Sequence, residues 1–221
     1  MNMENFSADF FELGDAQKSL KMKAYMKNHF PFLGIYAQDR KQLQSLYFKE
    51  WTPVTYLTLE NTVLALWNKN EREFQYAGIE LLLAKHKIWC PEIIPFIKKL
   101  ICTKSWWDSV DLLAASVLYK ALEKFTVPYE LVVEDYLASD NMWLHRSAVI
   151  VQHKRKQKTD LELLLYAIKT VQTNKEFFIQ KAIGWSLREV SKWNPMWVIE
   201  QVEVLKLDGL AKHEALKKLP L

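Results

Sequence analysis

Glycine and proline are scarce in this sequence, with 5 glycines and 7 prolines among 221 residues. Glycine lies well below its average usage, which argues against β architectures rich in tight turns. Only two cysteines occur, Cys90 and Cys102, and they have neither the spacing of a zinc site nor the count of a disulfide framework. We therefore expect both to be reduced core residues of a cytosolic protein.

The sequence also lacks segments that would direct the chain into a membrane. No uncharged apolar run approaches the roughly 20 residues that a transmembrane helix needs. The first residues carry early acidic side chains, whereas a signal peptide begins with basic residues followed by an apolar core. We expect a soluble protein of the bacterial cytosol or nucleoid, with no membrane partner.

Several motifs of common catalytic and cofactor sites are missing. There is no nucleotide-binding glycine motif, no histidine pair at metal-ligand spacing followed by a third ligand, and no nucleophile elbow. The five histidines are scattered, and we interpret each as an ordinary surface or core residue. The sequence therefore predicts no cofactor and no metal, and any catalysis must rest on a carboxylate among aromatic side chains.

Aromatic residues and helix-start signals are what the sequence does contain. Nine tryptophans, nine tyrosines and eleven phenylalanines are many for this length, and the net charge of +4 permits a polyanionic partner without demanding one. No convincing strand pattern of period two appears, so we predict roughly a dozen helices joined by short loops. The predicted helix caps are Asn70 with Glu73, Ser105 with Asp108, Thr159 with Glu162, and Asn194 followed by Pro195.

Four of these helix starts recur at a regular spacing. An aromatic residue follows the polar cap each time, and 33, 36 and 35 residues separate the four. This period, with two helices per unit, is typical of an α-solenoid of HEAT-like repeats. We predict an all-α fold with a single solenoid domain over residues 1–221, in which residues 1–50 form a helical cap and residues 51–221 the repeats. The aromatic residues are Phe74, Trp107, Trp143 and Phe178, and the outer helices are predicted at residues 91–103, 128–138 and 159–173.

Asp111 is the residue that breaks the pattern of the repeats. It lies four residues after Trp107 and therefore on the same helical face. A carboxylate on that apolar face is costly unless something pairs with it or uses it. Asp111 is therefore either a satisfied buried acid or a residue retained for chemistry. The equivalent positions of the other repeats hold small residues, namely Gly78, Ser147 and Ala182.

The same inner stripe contains two further candidates, Arg146 and Trp185. Corresponding stripes of successive inner helices line one surface of a solenoid, so both side chains are predicted to converge with Trp107 and Asp111. Each tryptophan has a structural alternative as a core residue, and Arg146 has one as an ion pair with an acid such as Asp140.

A basic run covers residues 153–158 and includes Lys154 and Lys156. Such a run is often a solvated helix end, where cations suit the helix dipole. Its functional interpretation is a patch that contacts phosphates, because lysines on one surface neutralise a nucleic-acid backbone. Both interpretations stay open at this point.

Four motifs in order identify what the sequence resembles. They are YMKNHFPFLGI at residues 25–35, KSWWDSVD at 104–111, SDNMWLHRSA at 139–148 and KEFFIQKAIGWSLRE at 175–189. With these motifs the chain resembles, over nearly its whole length, the AlkD family of HEAT-like-repeat alkylpurine DNA glycosylases.

The resemblance implies an activity and a role for individual residues. It implies excision of cationic N3- or N7-alkylated purines from duplex DNA by a monomeric, monofunctional glycosylase. The catalytic carboxylate falls on Asp111, the sugar-contacting tryptophans on Trp107 and Trp185, and the arginine on Arg146, for which we predict a phosphate clamp. Tyr25 matches a residue that faces the DNA.

The chain departs from the family pattern directly after residue 35. Where the family commonly has a proline and lesion-strand contacts, this chain has Tyr36-Ala37-Gln38-Asp39-Arg40, although Arg40 is retained and is expected to face the DNA. This departure motivates an alternative function, a non-catalytic binder of unusual DNA structures. A protein-interaction scaffold, the common use of solenoids, is the third hypothesis.

Overall fold

The computed structural model describes residues 2–53 and 55–219, and every regular element in them is helical. The predicted all-α class is thereby confirmed. The α-helices of the described residues are α1 (Met3–Glu12), α2 (Ala16–Tyr25), α3 (Ala37–Glu50), α4 (Tyr56–Trp67), α5 (Arg72–Ala84), α6 (Ile93–Ile101), α7 (Trp107–Leu112), α8 (Tyr119–Phe125), α9 (Tyr129–Leu137), α10 (Met142–Ile150), α11 (Leu161–Val171), α12 (Phe177–Ser191), α13 (Pro195–Val204) and α14 (Gly209–Leu216). Short 3₁₀ segments occur at His86–Ile88 and His153–Lys158.

The chain divides into two compact units, Met1–Cys90 and Pro91–Leu221. The division falls at residue 90, whereas the sequence placed the start of the repeats at residue 51. A single domain over the whole chain stays a prediction. No described helix is both long and apolar enough to cross a membrane.

The second unit is built from repeated helix pairs. Helices α6, α9 and α11 lie inside the three predicted outer-helix ranges. Each is followed by an inner helix, and the inner helices pack in series, with α10 against both α7 and α12, and α12 against α14. At the closest of these packings, a Cβ added to Gly184 would lie 2.5 Å from Glu214 Cβ and 2.7 Å from the Ala211 carbonyl oxygen. Glycine is therefore required where α12 meets α14.

The core of the first unit is aromatic. The rings of Phe6 and Phe10 lie 4.4 Å apart, and Phe10 stacks on Phe74 at 5.1 Å. All three are fully buried. Phe74, the first of the four repeating aromatic residues, is thus a core residue, as the structural alternative for such positions expects.

The loop before α3 is tied to α5 by one carboxylate. Buried Glu73 accepts backbone hydrogen bonds from Leu33 at 3.0 Å, Gly34 at 2.9 Å and Ile35 at 3.2 Å. Gly34 has a φ of +89°, and a Cβ there would lie 2.1 Å from the Asp15 carbonyl oxygen. Only glycine fits this position, and Glu73 serves the loop rather than the predicted cap with Asn70.

Three of the four predicted helix caps, including Asn70 with Glu73, are wrong, and the fourth is correct as a helix start although the Asn194 side chain makes no capping hydrogen bond. Helix α7 begins after Trp106, and the Ser105 hydroxyl donates at 2.6 Å to the Ile101 carbonyl, so Ser105 closes the preceding helix. The side chain that caps α11 is Asp160 and not Thr159. Helix α13 does start after Asn194 with proline in its first turn.

The cysteines differ from the expected core positions. Cys102 is exposed at the end of α6 and Cys90 is half-buried. Among the described residues, no group of three or more His, Cys, Asp or Glu side chains has an arrangement that could hold a metal ion.

Candidate functional site

Asp111 lies in a helix with an unusual backbone. Helix α7 begins at Trp107, so Asp111 is one turn further along it, and the helix continues without a break through a π-helical stretch, Leu113–Leu118, into α8. π-Helical turns are rare and are often found at functional sites, because the extra residue per turn shifts the faces that the helix presents. This stretch begins two residues after Asp111.

The carboxylate of Asp111 is held by the guanidinium of Arg146. Arg146 Nε donates to Asp111 Oδ1 and Arg146 Nη2 donates to Oδ2, both at 2.7 Å. This is the two-bond fork that arginine forms with a carboxylate and lysine cannot form. The Asp111 side chain is 15% exposed, so the fork does not seal it completely from solvent.

Burial and pairing act on the ionisation of Asp111 in opposite directions. Burial raises the pKa of this carboxyl above its ordinary value, and the negative charge of Asp108 acts in the same sense. The hydrogen bonds and positive charge of Arg146 lower the pKa and oppose the burial. Burial is the largest of these influences, so the pKa of Asp111 stays above its ordinary value, and among these influences Arg146 is the one that lowers it. Arg146 is therefore the group that favours the ionised form of Asp111.

Arg146 occupies a position that differs from the predicted phosphate clamp. It is only 3% exposed, and its third nitrogen, Nη1, donates to the Phe178 carbonyl at 2.6 Å. All three guanidinium nitrogens thus bond within the protein. The ion pair expected by the structural alternative does form, but its partner is Asp111 rather than Asp140.

The aromatic residues next to the fork form a cluster. The Trp106 ring lies 5.6 Å from that of Trp143 and 4.9 Å from that of Phe178, and Trp143 and Phe178 are 5.0 Å apart. Trp143 and Phe178 were predicted from the repeat, but Trp106 was not. Trp106 joins the cluster because it precedes the helix in an extended conformation, with φ −160° and ψ 158°. No signal in the sequence indicates this.

The repeat positions four residues beyond the aromatic residues are occupied as predicted. Gly78, Ser147 and Ala182 are all buried. Ser147 donates its hydroxyl to the Trp143 carbonyl at 2.8 Å. Asp111 is the position among the four that carries a charge and remains partly exposed.

Trp185 is half-buried on α12, seven residues after Phe178. Its indole Nε1 donates to Glu189 Oε1 at 3.3 Å, and its ring meets that of His153 edge to face with centroids 4.4 Å apart. Trp107, at the start of α7, is also half-buried. Neither partner was predicted: His153 is 32 residues from Trp185, a separation that leaves no pattern in the sequence, whereas Glu189 has the i, i+4 helical spacing that could have indicated it.

A basic groove of about 560 Å³ lies beside His153. Lys154 and Lys156 are exposed along it, as the phosphate-patch interpretation requires, and Lys154 Nζ donates to Ser116 Oγ at 2.8 Å. The 3₁₀ segment that carries them kinks at Lys156, where φ is 54° and ψ −125°. The groove is lined by Tyr119, His153, Lys154, Lys156, Gln157, Thr159, Glu189, Lys192 and Trp193.

The two site residues predicted in the first unit have opposite exposures. Tyr25, the last residue of α2, is 69% exposed, as a surface contact requires. Arg40 is 6% exposed, donates to Glu80 Oε1 at 2.9 Å and lies over the Tyr76 ring at 4.8 Å. The expectation that Arg40 faces the DNA is therefore not met. A buried guanidinium needs such an ion pair, and this pair directs it inward.

Comparison with known proteins gives a family match and a match to a solved structure that agree with each other. The model of the family described as DNA alkylation repair enzyme matches residues 6–219. A solved structure from Enterococcus faecalis, described as a predicted DNA alkylation repair enzyme, superposes with a TM-score of 0.86 at 36% sequence identity. The match covers 94% of this chain and 97% of that one. No curated protein matches this chain in sequence.

Proposed function

The chain belongs to the family of DNA alkylation repair enzymes, and we propose that it acts as a monofunctional DNA glycosylase. It would hydrolyse the N-glycosidic bond of cationic purines alkylated at N3 or N7, such as 3-methyladenine and 7-methylguanine, in duplex DNA. The observation that supports this proposal is the Asp111 carboxylate, which accepts two hydrogen bonds from Arg146 and belongs to a side chain that is 15% exposed.

Cleavage of the glycosidic bond builds positive charge on the deoxyribose. A fixed carboxylate near the sugar stabilises that charge as it develops, an electrostatic effect that is usually the largest single contribution to catalysis. Each carboxylate oxygen has two lone pairs, so Asp111 keeps acceptor capacity after bonding Arg146. The free capacity allows Asp111 to orient or deprotonate the attacking water.

The leaving group explains why one catalytic carboxylate is sufficient. Glycosidases whose leaving group would otherwise depart as an anion use a second carboxyl as general acid to protonate it. A purine alkylated at N3 or N7 already carries a positive charge and departs as a neutral base. The substrate proposed here therefore needs no general acid, which is consistent with one partly exposed carboxylate held in its ionised form.

Trp107 and Trp185 are proposed to face the sugar. Indole rings present an electron-rich face that attracts a cation, with a stabilisation of about 0.5–2 kcal/mol that grows as water is excluded. Both rings are half-buried, so they are supported by the protein while retaining accessible surface.

Arg146 is proposed as a positioning residue rather than a direct contact to DNA. Its three nitrogens bond Asp111 and the Phe178 carbonyl, so its role is to aim the carboxylate and keep it ionised. The phosphate contacts are assigned instead to the exposed lysines of the basic groove, Lys154 and Lys156, with Tyr25 as a further surface contact. Phosphate contacts of this kind supply most of the affinity for a duplex.

A second candidate is a non-catalytic binder of unusual DNA structures. The observation in its favour is Arg40, which is the last residue of the altered segment 36–40 and is held inward by Glu80. A helix α3 without that arginine at its surface offers fewer contacts to a lesion strand. A protein-interaction scaffold is the third candidate, and no contact in the described residues favours it specifically.

One assay separates these candidates. Methylated duplex DNA is incubated with the protein, and the released bases are separated by chromatography. Release of 3-methyladenine and 7-methylguanine supports the glycosylase. Salt-sensitive DNA binding without release supports the binder, and the absence of both supports the scaffold.

A further inference from the structure

Two side chains without an assigned role contact the indole of Trp185. Glu189, one turn along the same helix, accepts the indole N–H at 3.3 Å. His153, from a different segment of the second unit, meets the ring edge to face at 4.4 Å and 69°. Glu189 lies on the same helix as Trp185, so its hydrogen bond restrains the indole only relative to that helix. His153 comes from another segment and connects the indole to the rest of the second unit.

The hydrogen bonds around His153 define its protonation. Ser186 donates its hydroxyl to the Val149 carbonyl at 3.0 Å, and His153 Nε2 lies 2.6 Å from Ser186 Oγ. Because the single hydroxyl hydrogen is already used, Nε2 must carry the proton and donate it to Ser186. His153 Nδ1 is then an acceptor, and within the described part of the chain it is buried with no hydrogen-bond partner.

Protonation of His153 would be opposed from two helices. Arg146 on α10, Arg188 on α12 and Lys192 directly after the end of α12 all place positive charge towards the ring. Burial, the largest influence, and these three cations lower the pKa of His153 to about 3. A second N–H at Nδ1 would also be buried without an acceptor. The ring is therefore neutral across the physiological pH range.

We propose that His153 is a positioning residue that fixes the Trp185 indole, using a neutral imidazole anchored through Ser186 to the backbone of α10. The inference rests on the proposed function for its catalytic consequence, since Trp185 is there the indole beside the sugar. Protonation at Nδ1 would place a second N–H where it is buried without an acceptor among the described residues and would disturb the hydrogen bonding that fixes the ring. The three cations and the committed serine hydroxyl prevent this.

The rate test is a double-mutant cycle on base release. Under single-turnover conditions with a duplex containing 7-methylguanine, His153→Phe should lower the rate about tenfold or more, because displacing a contact in an active site has that effect. In a Trp185→Ala background the same substitution should change the rate by less than twofold, because His153 then has no indole to hold. An equal loss in both backgrounds, or no loss in the wild-type background, overturns the inference.

Two further variants make the cycle interpretable. His213→Asn changes the exposed histidine of α14 and should leave the rate unchanged. Ser186→Ala removes the hydroxyl that anchors His153 but keeps the imidazole. It should lower the rate of base release less than His153→Phe does, and this effect should likewise disappear in the Trp185→Ala background. This second variant tests the inference if His153→Phe does not fold, which chemical unfolding of each variant establishes.

A second readout is independent of base excision. In protein labelled with 5-fluorotryptophan, the Trp185 resonance is assigned by its absence in Trp185→Phe. His153→Phe should shift or broaden that resonance, and the wild-type resonance should stay constant between pH 5.5 and 8. An unmoved resonance in His153→Phe overturns the inference. A wild-type protein that releases no base contradicts the proposed function, while the resonance still tests the position of the indole.

Discussion

Arg146 holds Asp111 through two parallel hydrogen bonds of 2.7 Å, although the two residues are 35 positions apart in the sequence. They lie on α10 and α7, two inner helices that pack against each other. The third nitrogen of Arg146 reaches the Phe178 carbonyl at the start of α12. One guanidinium therefore links three successive inner helices and fixes the carboxylate that the proposed chemistry requires.

Arg146→Ala should destabilise the protein rather than weaken its electrostatic attraction to DNA. Removal of one partner from a buried ion pair typically costs about 3–5 kcal/mol, and the partial exposure of Asp111 places the expected loss near the lower end. Chemical unfolding measures this loss. The dependence of DNA affinity on salt should be unchanged, because all three guanidinium nitrogens of Arg146 bond within the protein and we propose no phosphate contact for it.

The control for Arg146 is the double variant Asp111→Asn with Arg146→Met, which removes both charges. It should lose less free energy of unfolding than the sum of the single variants, because no uncompensated charge remains. If Arg146→Ala were as stable as the wild type and its DNA affinity depended less on salt, Arg146 would instead be the phosphate clamp predicted from the sequence.

Lys156→Gln should reduce the salt dependence of duplex binding. Each phosphate contact contributes about −0.9 to the slope of log affinity against log salt concentration, so one lost contact flattens the slope by about that amount. Lys169→Gln is the matched control, since Lys169 is an exposed lysine on the outer helix α11. A slope that is the same in wild type and Lys156→Gln rules Lys156 out as a phosphate contact.

Two glycines in inner-helix interiors should respond oppositely to alanine. A Cβ at Gly78 meets its nearest atom, Val63 Cγ1, at an ordinary 3.5 Å, so Gly78→Ala should stabilise α5 by about 0.5–1 kcal/mol. A Cβ at Gly184 would collide with the backbone of α14 at Ala211. Gly184→Ala should cost about 1–3 kcal/mol, as overpacking does. Thermal unfolding of both variants tests the pair, and a stabilised Gly184→Ala would contradict the close packing of these helices.

Acid should weaken the second unit through Glu214. Hydrogen bonds from Lys181 and then Arg188 lower the pKa of this buried carboxyl from 4.5 to about 2. A lowered carboxyl pKa stabilises the fold above pH 4.5, and this stabilisation disappears as the pH falls towards 2. Glu214→Gln should therefore have a lower free energy of unfolding than the wild type at pH 7. Its free energy of unfolding should also change less between pH 4.5 and 2.

The exposed pair of Glu203 with Lys212 supplies the control for this titration. Glu203→Gln should follow the wild-type curve, because exposed ion pairs contribute little. If Glu214→Gln lost stability with acid as steeply as the wild type, Glu214 would not be the responsible group.

The helical architecture could be predicted from the sequence because its determinants are local and periodic. The outer helices, the start of α13 and the small residues at Gly78, Ser147 and Ala182 all follow from spacing. Spacing also identified Asp111 as the charged exception. Cap chemistry was less predictable, since Ser105 could bond either to the helix before it or to the one after it, and geometry favoured the helix before it.

The partners of the site residues could not be predicted, because they depend on tertiary contacts. Arg146 and Arg40 both carry charges that the sequence assigned to DNA, and both are buried against carboxylates of neighbouring helices. The π-helical stretch after Asp111 and the contact of His153 with Trp185 likewise leave no periodic signal. Spacing places a residue on a face of a helix, but the partner is set by the neighbouring helix.

The central claim is that Asp111 stabilises the sugar cation, and its most direct test is base release by Asp111→Asn. Asparagine retains the shape and one acceptor oxygen but not the charge, and loss of one preorganised electrostatic group costs about 10²–10³-fold in rate. Single-turnover release of 7-methylguanine from duplex DNA should be rapid in wild type and lower by at least that factor in a folded Asp111→Asn variant that still binds the duplex. Release by Asp111→Asn at the wild-type rate would contradict the account.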